Sequence, residues 1–205
     1  MRPAYPARGL SFAAMDDVER CWWGGGARPD PRMQAYHDTE WGVPVTDDIE
    51  LFERLTLEGF QAGLSWQTIL NKRDAFRVAF RGFDPAAVEA FDDTDRARLL
   101  GDAGIVRNRA KIEATIANAR WFRATVAELG SFDAYLGSIV PRPPSSLPAN
   151  ATMADIPATT PVSDALSADL RRRGFRFVGS TIVYAFMQSV GLVDDHLPGC
   201  FRYRG

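Results

Sequence analysis

The sequence predicts an all-α protein, built as a bundle of helices. In segment after segment, apolar residues recur every three or four positions, which is the spacing of one face of a helix. Helix-capping residues or prolines stand before several of these segments. No stretch shows the alternation of apolar and polar residues that is typical of a half-buried strand, and no internal repeat is visible.

The first two helices are predicted between residues 47 and 80. Asp47 is a capping residue with Glu50 three positions later, and apolar residues follow at helical spacing to about residue 60. Ser65 predicts the start of the second helix, whose apolar stripe ends at Phe80. Each helix is expected to bury its apolar face in a common core.

Three further helices are predicted before a break in the pattern. Asp84 followed by Pro85 begins a short helix, a longer one runs from about residue 107 to residue 129, and Ser131 caps another. The prolines within residues 141–148 then exclude regular helix. We interpret this stretch as a long surface loop.

The last two helices are joined by a short connection that begins and ends with glycine. Ser163 is predicted to cap a helix that runs through Arg173, and a final helix covers about residues 180–190. The connection from Gly174 to Gly179 is six residues long. Two helices joined in this way predict a helix-hairpin-helix.

The length and composition predict one domain. A chain of 205 residues is long enough for a single sizeable core. We expect residues 1–18 to be a disordered tail, because they show no sustained periodicity, and residues 19–205 to form a single all-α domain. No apolar run approaches the roughly 18 residues that a membrane span needs, so we expect no membrane partner.

Charge is distributed unevenly along the chain although the net charge is only −2. Residues 16–58 hold eleven acidic residues against four arginines, whereas residues 107–123 and 171–205 each carry a net charge of +4. The basic segments are consistent with a surface that binds nucleic acid. The alternative is that they are ordinary solvated helix faces.

The two cysteines and two histidines of the chain fall into two pairs near its ends. Cys21 and His37 are separated by fifteen residues, and His196 and Cys200 by three. Two thiolates and two imidazoles complete a tetrahedral structural zinc site, which would staple the N-terminal segment to the C-terminal one. The alternative is that each is an ordinary buried or surface side chain. A disulfide framework is excluded by the spacing.

Aromatic residues are concentrated in the first third of the chain. They include Trp22, Trp23, Trp41, Trp66 and Tyr36. Glu58 falls among them on the first predicted helix, so we infer an aromatic-walled pocket with one carboxylate, which suits a flat or cationic heterocycle. The alternative is that the rings are core residues and that Glu58 is an exposed helix residue.

Several strings of residues together resemble the 3-methyladenine DNA glycosylase I family. They are Cys21-Trp22-Trp23, Ala35 to Pro44, Leu57 to Trp66, Asp102 to Arg107, Lys111-Ile112, Thr160 to Asp164, Arg173 to Thr181 and His196-x3-Cys200. The resemblance implies a helix-hairpin-helix DNA glycosylase that extrudes 3-methyladenine from alkylated double-stranded DNA and hydrolyses its N-glycosidic bond. It also implies a monomer that acts in the cytoplasm, associated with the nucleoid through DNA.

The same resemblance implies roles for individual residues. It implies that one zinc ion is bound by Cys21, His37, His196 and Cys200. Glu58 and Tyr36 match the residues that hydrogen-bond the extruded base, and Trp66 matches the residue on which the base stacks. Trp23 and Trp41 match other aromatic residues of the pocket. Glu58 is thus expected to stabilise the charged lesion and to reject normal adenine.

Two segments are expected to contact DNA. By the resemblance, Gly63 and Leu64 lie where the family fills the gap that the extruded base leaves in the duplex. At the predicted hairpin, backbone N–H groups and the start of the following helix can bind phosphate. The residues expected there are Gly174, Gly179, Ser180, Thr181, Arg173 and Arg176.

The chain departs from the family pattern at three places. Met33 stands where the family often has tyrosine, and Gly24 to Gly26 lengthen the segment after Trp23. Asp194 stands where an asparagine is expected. We treat Asp194 as a candidate catalytic residue that orients water or stabilises the sugar, the alternative being a loop acid beside a zinc ligand. A second function class is a zinc-stapled helical DNA-binding damage sensor without hydrolytic activity.

Overall fold

The computed structural model describes residues 18–25 and 30–205, and this part of the chain is mostly helical, as the sequence predicts. Its helices are α1 (Pro31–Thr39), α2 (Asp48–Gln61), α3 (Trp66–Ala79), α4 (Pro85–Glu89), α5 (Asp93–Gly101), α6 (Arg109–Leu129), α7 (Phe132–Gly137), α8 (Pro161–Arg173) and α9 (Ser180–Ser189). Short 3-10 turns cover Arg81–Phe83 and Met153–Asp155. Apart from Val18, the predicted tail lies outside the described residues, as does Gly26.

Helix α2 runs through the centre of the fold. Every residue from Leu51 to Phe60 is buried, and the helix packs against α3, α6 and α9. Aromatic contacts fix its position, with the rings of Phe60 and Phe76 4.7 Å apart between centroids. Because α2 is covered on all sides, the charged side chains that it carries must be paired inside the protein or held neutral.

The capping residues largely confirm the predicted helix starts. The Asp47 side chain accepts from the backbone N–H of Glu50 at the start of α2, and that of Ser65 accepts from the N–H of Thr68 at the start of α3. The predicted start of α8 is wrong by three residues.

Thr160 rather than Ser163 is the N-cap of α8. Its hydroxyl accepts from the Ser163 N–H at 3.1 Å, while the Ser163 hydroxyl accepts from the Thr160 N–H at 2.8 Å. This reciprocal pair leaves Pro161 at the first helical position, where a missing N–H costs nothing.

Two helices and a strand pair were not predicted. Helices α1 and α5 are rich in polar and charged residues, so their sequences carry little apolar periodicity. The strands β1 (Ser145–Ser146) and β2 (Val193–Asp194) pair in parallel over two residues each, which is too short for an alternating pattern. This pairing places the proline-rich loop beside the C-terminal segment.

A buried lysine fixes the loop between α2 and α3. Lys111 on α6 donates through Nζ to the carbonyl oxygens of Phe60 at 2.7 Å and Ala62 at 2.6 Å. These carbonyls belong to the last turn of α2 and the residue that follows it, where the helix leaves carbonyl groups without internal partners. Lys111 therefore anchors the base of the loop that carries Gly63 and Leu64.

Among the described residues, no helix combines the length and the apolar character that crossing a bilayer requires.

Candidate functional site

A cavity of about 500 Å³ lies where α1, α2, α3 and α9 meet. Its aromatic lining consists of Trp22, Trp23, Tyr36, Trp41 and Trp66. The predicted pocket residues are therefore brought together from three separate stretches of the sequence. Glu58 also lines the cavity, as does Met33, which stands at the position of the expected tyrosine.

The aromatic rings of the pocket contact one another, one pair edge to face and another tilted. The centroids of Trp23 and Trp41 are 5.0 Å apart with the planes at 82°, and those of Tyr36 and Trp66 are 5.1 Å apart with the planes at 43°. Such contacts are favourable for aromatic quadrupoles and hold each ring in one orientation. Trp66 is the first residue of α3, and its buried Nε1 donates to none of the described residues.

Glu58 lines both this cavity and a neighbouring one, yet it is buried and only 5% exposed. Burial raises the pKa of its carboxyl group to about 8, and the positive charge of Arg54 and a side-chain hydrogen bond with Ser189 act in the opposite direction. At neutral pH the carboxyl group is therefore largely protonated. A cation entering the pocket would favour the ionised form.

Arg54 is a buried residue beside the pocket that the sequence analysis missed. Its Nη2 donates to carboxylate oxygens of Glu40 at 2.8 Å and of Glu50 at 2.9 Å, and its guanidinium carbon lies 5.5 Å from the centre of the Tyr36 ring. The signal in the sequence was an arginine one helical turn before Glu58. Burial raises the pKa of Tyr36, so its hydroxyl keeps its proton.

The four predicted metal ligands converge on one point. One ligand atom from each of Cys21, His37, His196 and Cys200 can be chosen so that all four lie within 4.8 Å of one another, and all four residues are buried. Cys200 Sγ is 3.4 Å from His37 Nε2 and 3.6 Å from His196 Nδ1. The donor set and its spacing fit a tetrahedral metal ion.

Surrounding groups orient the two imidazoles. His37 Nδ1 is 2.8 Å from a carboxylate oxygen of Asp38, which is itself bound by Arg20, and this leaves Nε2 to face the sulfur atoms. His196 Nε2 lies 3.4 Å from the carbonyl oxygen of Trp41, so Nδ1 faces inward. Carboxylate and carbonyl partners of this kind are typical of histidines that bind metals.

Gly24 explains part of the lengthened segment after Trp23. A Cβ atom at this position would lie 2.5 Å from the ring of His37, closer than real contacts allow. A residue without a side chain is therefore needed for the chain to pass over the four predicted metal ligands, which we call the ligand cluster. The Trp23 ring also contacts the His37 ring, so the cluster and the pocket share a wall.

Asp194 does not join the pocket. It is buried on β2, its Oδ1 accepts from the N–H of His196 at 3.3 Å, and its Oδ2 accepts from none of the residues that the structure describes. The lining of the pocket does not include it. The structure therefore sets Asp194 beside His196 and not in the pocket that Glu58 lines, which agrees with the alternative of a loop acid beside a metal ligand.

A second cavity of about 220 Å³ adjoins the pocket. It lies between the α2–α3 loop and the start of α9, and its lining includes Gly63, Leu64 and Thr181. Leu64 is 42% exposed at its rim. The two cavities share three residues, which are Glu58, Gln61 and Ala185. These residues therefore mark the junction between the two cavities.

The connection between α8 and α9 is clamped from α6. Asn118 Oδ1 accepts from the N–H of Arg176 at 2.8 Å, and Asn118 Nδ2 donates to the Arg176 carbonyl oxygen at 2.9 Å. The next residue, Phe177, has a φ of 55°, which is strained for a side chain of this size. Gly174 has a φ of 103° and packs against the Trp121 ring, where no Cβ atom fits.

Not all polar residues near this connection are free to bind a ligand. The guanidinium of Arg173 donates to Asp169 at 2.9 Å and to Glu128 at 2.7 Å. The Ser180 hydroxyl is hydrogen-bonded to Asp164 and to Ser163. By contrast, the structure leaves Arg176 and Thr181 exposed.

Comparison with known proteins gives a consistent result. A family model described as methyladenine glycosylase matches residues 25–203. The chain is 49% identical over 188 residues to DNA-3-methyladenine glycosylase 1 of Escherichia coli K12, covering 92% of this chain and 98% of that protein.

Solved structures agree in fold. A crystal structure of 3-methyladenine DNA glycosylase I is similar with a TM-score of 0.84 and 49% identity, covering 89% of this chain and 98% of that one. A variant of 3-methyladenine DNA glycosylase I in complex with 3-methyladenine is similar with a TM-score of 0.82 and 36% identity, covering 86% and 94%.

The raised pKa of Glu58 predicts that stability falls as pH rises. The folded state keeps the proton up to about pH 8, whereas the unfolded chain loses it near the ordinary value of 4.5. Between these values the folded state binds the extra proton, so the free energy of unfolding contributed by Glu58 falls by about 1.4 kcal/mol per pH unit. Urea unfolding of the wild type and of Glu58→Gln at several pH values in this range measures the loss of stability. The prediction is contradicted if the free energies of unfolding of the two proteins change with pH in the same way.

Proposed function

Because the chain belongs to the methyladenine glycosylase family, we propose that it removes 3-methyladenine from alkylated DNA by hydrolysing the N-glycosidic bond. The observation that carries this proposal is a buried carboxyl group, Glu58, inside a pocket walled by aromatic rings. The proposed substrate is double-stranded DNA, the extruded base being bound in the pocket by a monomer of this chain.

Glu58 is the residue that recognises the positive charge of the methylated base. Methylation at N3 gives adenine in DNA a positive charge, and a flat cation can stack on Trp66 while the carboxylate of Glu58 and the hydroxyl of Tyr36 bind its edge. Since the carboxyl group of the free pocket is largely protonated, a cationic base is needed to favour its ionised form. Neutral adenine lacks this charge and so gains less from the pocket.

The arrangement of the two cavities supports a path for hydrolysis. A base in the larger cavity and a sugar-phosphate in the second cavity would bring the glycosidic bond to their junction, beside Glu58 and Gln61. Departure of the base as a neutral molecule needs little acid catalysis, because its positive charge already weakens the bond. The enzyme's contribution is extrusion, positioning and the admission of water to the sugar. Asp194 has no role in this proposal.

We propose that the Cys2His2 cluster binds one structural zinc ion. The donor set, the convergence of its atoms and the orientation of both imidazoles support zinc. The ion supplies no step of hydrolysis, since four protein ligands fill its coordination shell. It would join the segment that carries Cys21 to the C-terminal segment that carries Cys200 and so resist fraying of both.

DNA binding is assigned to two neighbouring surfaces. We propose that α8, α9 and their connection form a helix-hairpin-helix that presents backbone N–H groups and Arg176 to phosphate. Leu64, exposed on the adjacent loop, would enter the duplex where the base has left. Arg173 and Ser180 would have to leave their carboxylate partners to take part.

Replacing Glu58 by glutamine is expected to lower the excision rate about tenfold to hundredfold, because a charged hydrogen bond to the base is lost. Chromatography of the bases released from methylated DNA measures the rate. Glu113→Gln, which alters a carboxylate outside both cavities, serves as the control. Release of 3-methyladenine by the wild type would distinguish a hydrolytic enzyme from a damage sensor that only binds DNA. Equal excision rates for Glu58→Gln and the wild type would show that Glu58 has no role in the mechanism.

Elemental analysis of the purified protein is expected to find about one zinc ion per chain. Cys200→Ser should lose the metal and lower Tm by about 10 °C or more, because the ends of the chain are released. Tyr203→Phe removes a nearby hydrogen bond to Leu147 without touching a ligand and should retain zinc. A metal-free wild type of full stability would contradict the assignment.

Replacing Asn118 by alanine is expected to weaken binding to duplex DNA about tenfold, because both hydrogen bonds that hold the hairpin are lost. Binding of free 3-methyladenine should stay unchanged, since Asn118 lies outside the pocket. Asn108→Ala removes the N-cap of the same helix and should lower stability without changing DNA affinity. Equal losses of DNA affinity in the two variants would show a general effect of destabilisation.

A further inference from the structure

The connection between α2 and α3 contains a type II β-turn over residues 61–64. The N–H of Leu64 donates to the carbonyl oxygen of Gln61 at 2.6 Å. Between them, Ala62 has a φ of −46° and a ψ of 114°, and Gly63 has a φ of 81°. These angles are those of a type II turn, whose third residue needs a positive φ and is usually glycine. The turn ends at Leu64, which is 42% exposed.

Lys111 on α6 binds the carbonyl group whose direction distinguishes the two common turn types. Between type I and type II, the ψ of the second residue changes by about 150°, so the carbonyl group of that residue points to opposite sides. In this turn the second residue is Ala62, and its carbonyl oxygen accepts from Lys111 Nζ at 2.6 Å. The same ammonium group donates to the Phe60 carbonyl oxygen at 2.7 Å. A change to type I would turn the Ala62 carbonyl away from the ammonium and break its hydrogen bond.

Helix α2 depends on Lys111 for the cation at its C-terminal end. The last turn of α2 has no basic residue of its own, although a cation is favourable there because the terminal carbonyl groups carry partial negative charge. Lys111 supplies that charge from another helix and is only 7% exposed. Burial lowers its pKa, so holding an ammonium group at this position has a cost. The two carbonyl groups that it binds offset this cost only while the turn keeps its form.

We propose that Lys111 is a positioning residue for base extrusion, because it holds the turn in the form that presents Leu64 to the duplex. This inference rests on the proposed function, in which Leu64 enters the gap that the base leaves. An apolar side chain that enters stacked bases helps to repay the cost of unstacking them, so it has to be in place as the base leaves. If the turn samples other forms, the fraction of molecules able to insert Leu64 falls, and the excision rate falls with it. Lys111 itself lines neither of the two cavities of the site.

The test measures excision of 3-methyladenine from methylated duplex DNA, with the full chain in excess over its substrate. Lys111→Met keeps the length of the side chain and removes the ammonium group. It is expected to lower the excision rate about tenfold, because the turn loses two hydrogen bonds from a charged donor. Binding of free 3-methyladenine, followed by quenching of tryptophan fluorescence, is expected to stay unchanged, since Lys111 does not line the larger cavity.

A double-mutant cycle shows whether Lys111 acts through Leu64. Leu64→Ala alone is expected to lower the excision rate about tenfold, because no large side chain fills the gap. Adding Lys111→Met to Leu64→Ala should then lower the rate by less than about twofold, since the side chain that the turn positions is already missing. A lysine that only stabilises the fold would have the same effect in both backgrounds.

Lys72 provides a matched control elsewhere in the fold. Its Nζ donates to the carbonyl oxygens of Ala103 at 3.0 Å and of Gly104 at 3.2 Å, in the connection before α6. Lys72→Met therefore removes the same kind of contact away from both cavities and is expected to keep the wild-type excision rate. Lys111→Gln keeps a donor but not the charge, is expected to lower the rate about threefold, and replaces Lys111→Met if that variant fails to fold.

The outcomes separate this inference from the proposed function. A wild-type excision rate in either folded variant of Lys111 overturns its role, even if the wild type releases 3-methyladenine from methylated DNA. The role is also overturned if Lys111→Met has its full effect in the Leu64→Ala background, or if Lys72→Met lowers the rate equally. Failure of the wild type to release any base from that DNA overturns the proposed function itself.

Discussion

Holding the carboxyl group of Glu58 away from water is the constraint on which the rest of the site depends. A buried acid is costly in its ionised form, so the free protein keeps it largely protonated. Its position on α2, a helix covered on all sides, prevents it from turning to solvent. This burial explains the proposed recognition of a cationic base, because the positive charge of such a ligand would stabilise the ionised form of the carboxyl group.

Several acidic residues of the N-terminal third form internal ion pairs around this helix. Glu40 accepts from Arg54 and from Arg73, and Glu53 accepts from Arg77. These pairs tie α2 to α3 and to the end of α1 behind the pocket. Part of the net charge of −7 over residues 16–58 therefore lies in paired groups and not on a negative surface. Charge counted along a sequence does not distinguish the two.

The ligand cluster and the pocket are neighbours that share aromatic walls. Trp41 stands between them, with its ring 4.6 Å from the His196 ring and its side chain in the pocket lining. The segment that carries Cys21 also supplies Trp23 to the pocket. A metal ion in the cluster would thus support the pocket mechanically, through the positions of these two rings, without taking part in hydrolysis.

The sequence by itself determined the features that depend on local spacing or on a limited supply of residues. Helical periodicity and capping indicated α2, α3 and α6, and a chain with two cysteines and two histidines offered one Cys2His2 combination. Only the tertiary structure decided which of the neighbouring acids and arginines face the site. It directs Asp195 to the amide of Gln188 and Asp194 away from the pocket, and it buries Arg54 beside Glu58. These choices depend on how helices distant in sequence pack together, and adjacent residues on one short segment can face opposite sides.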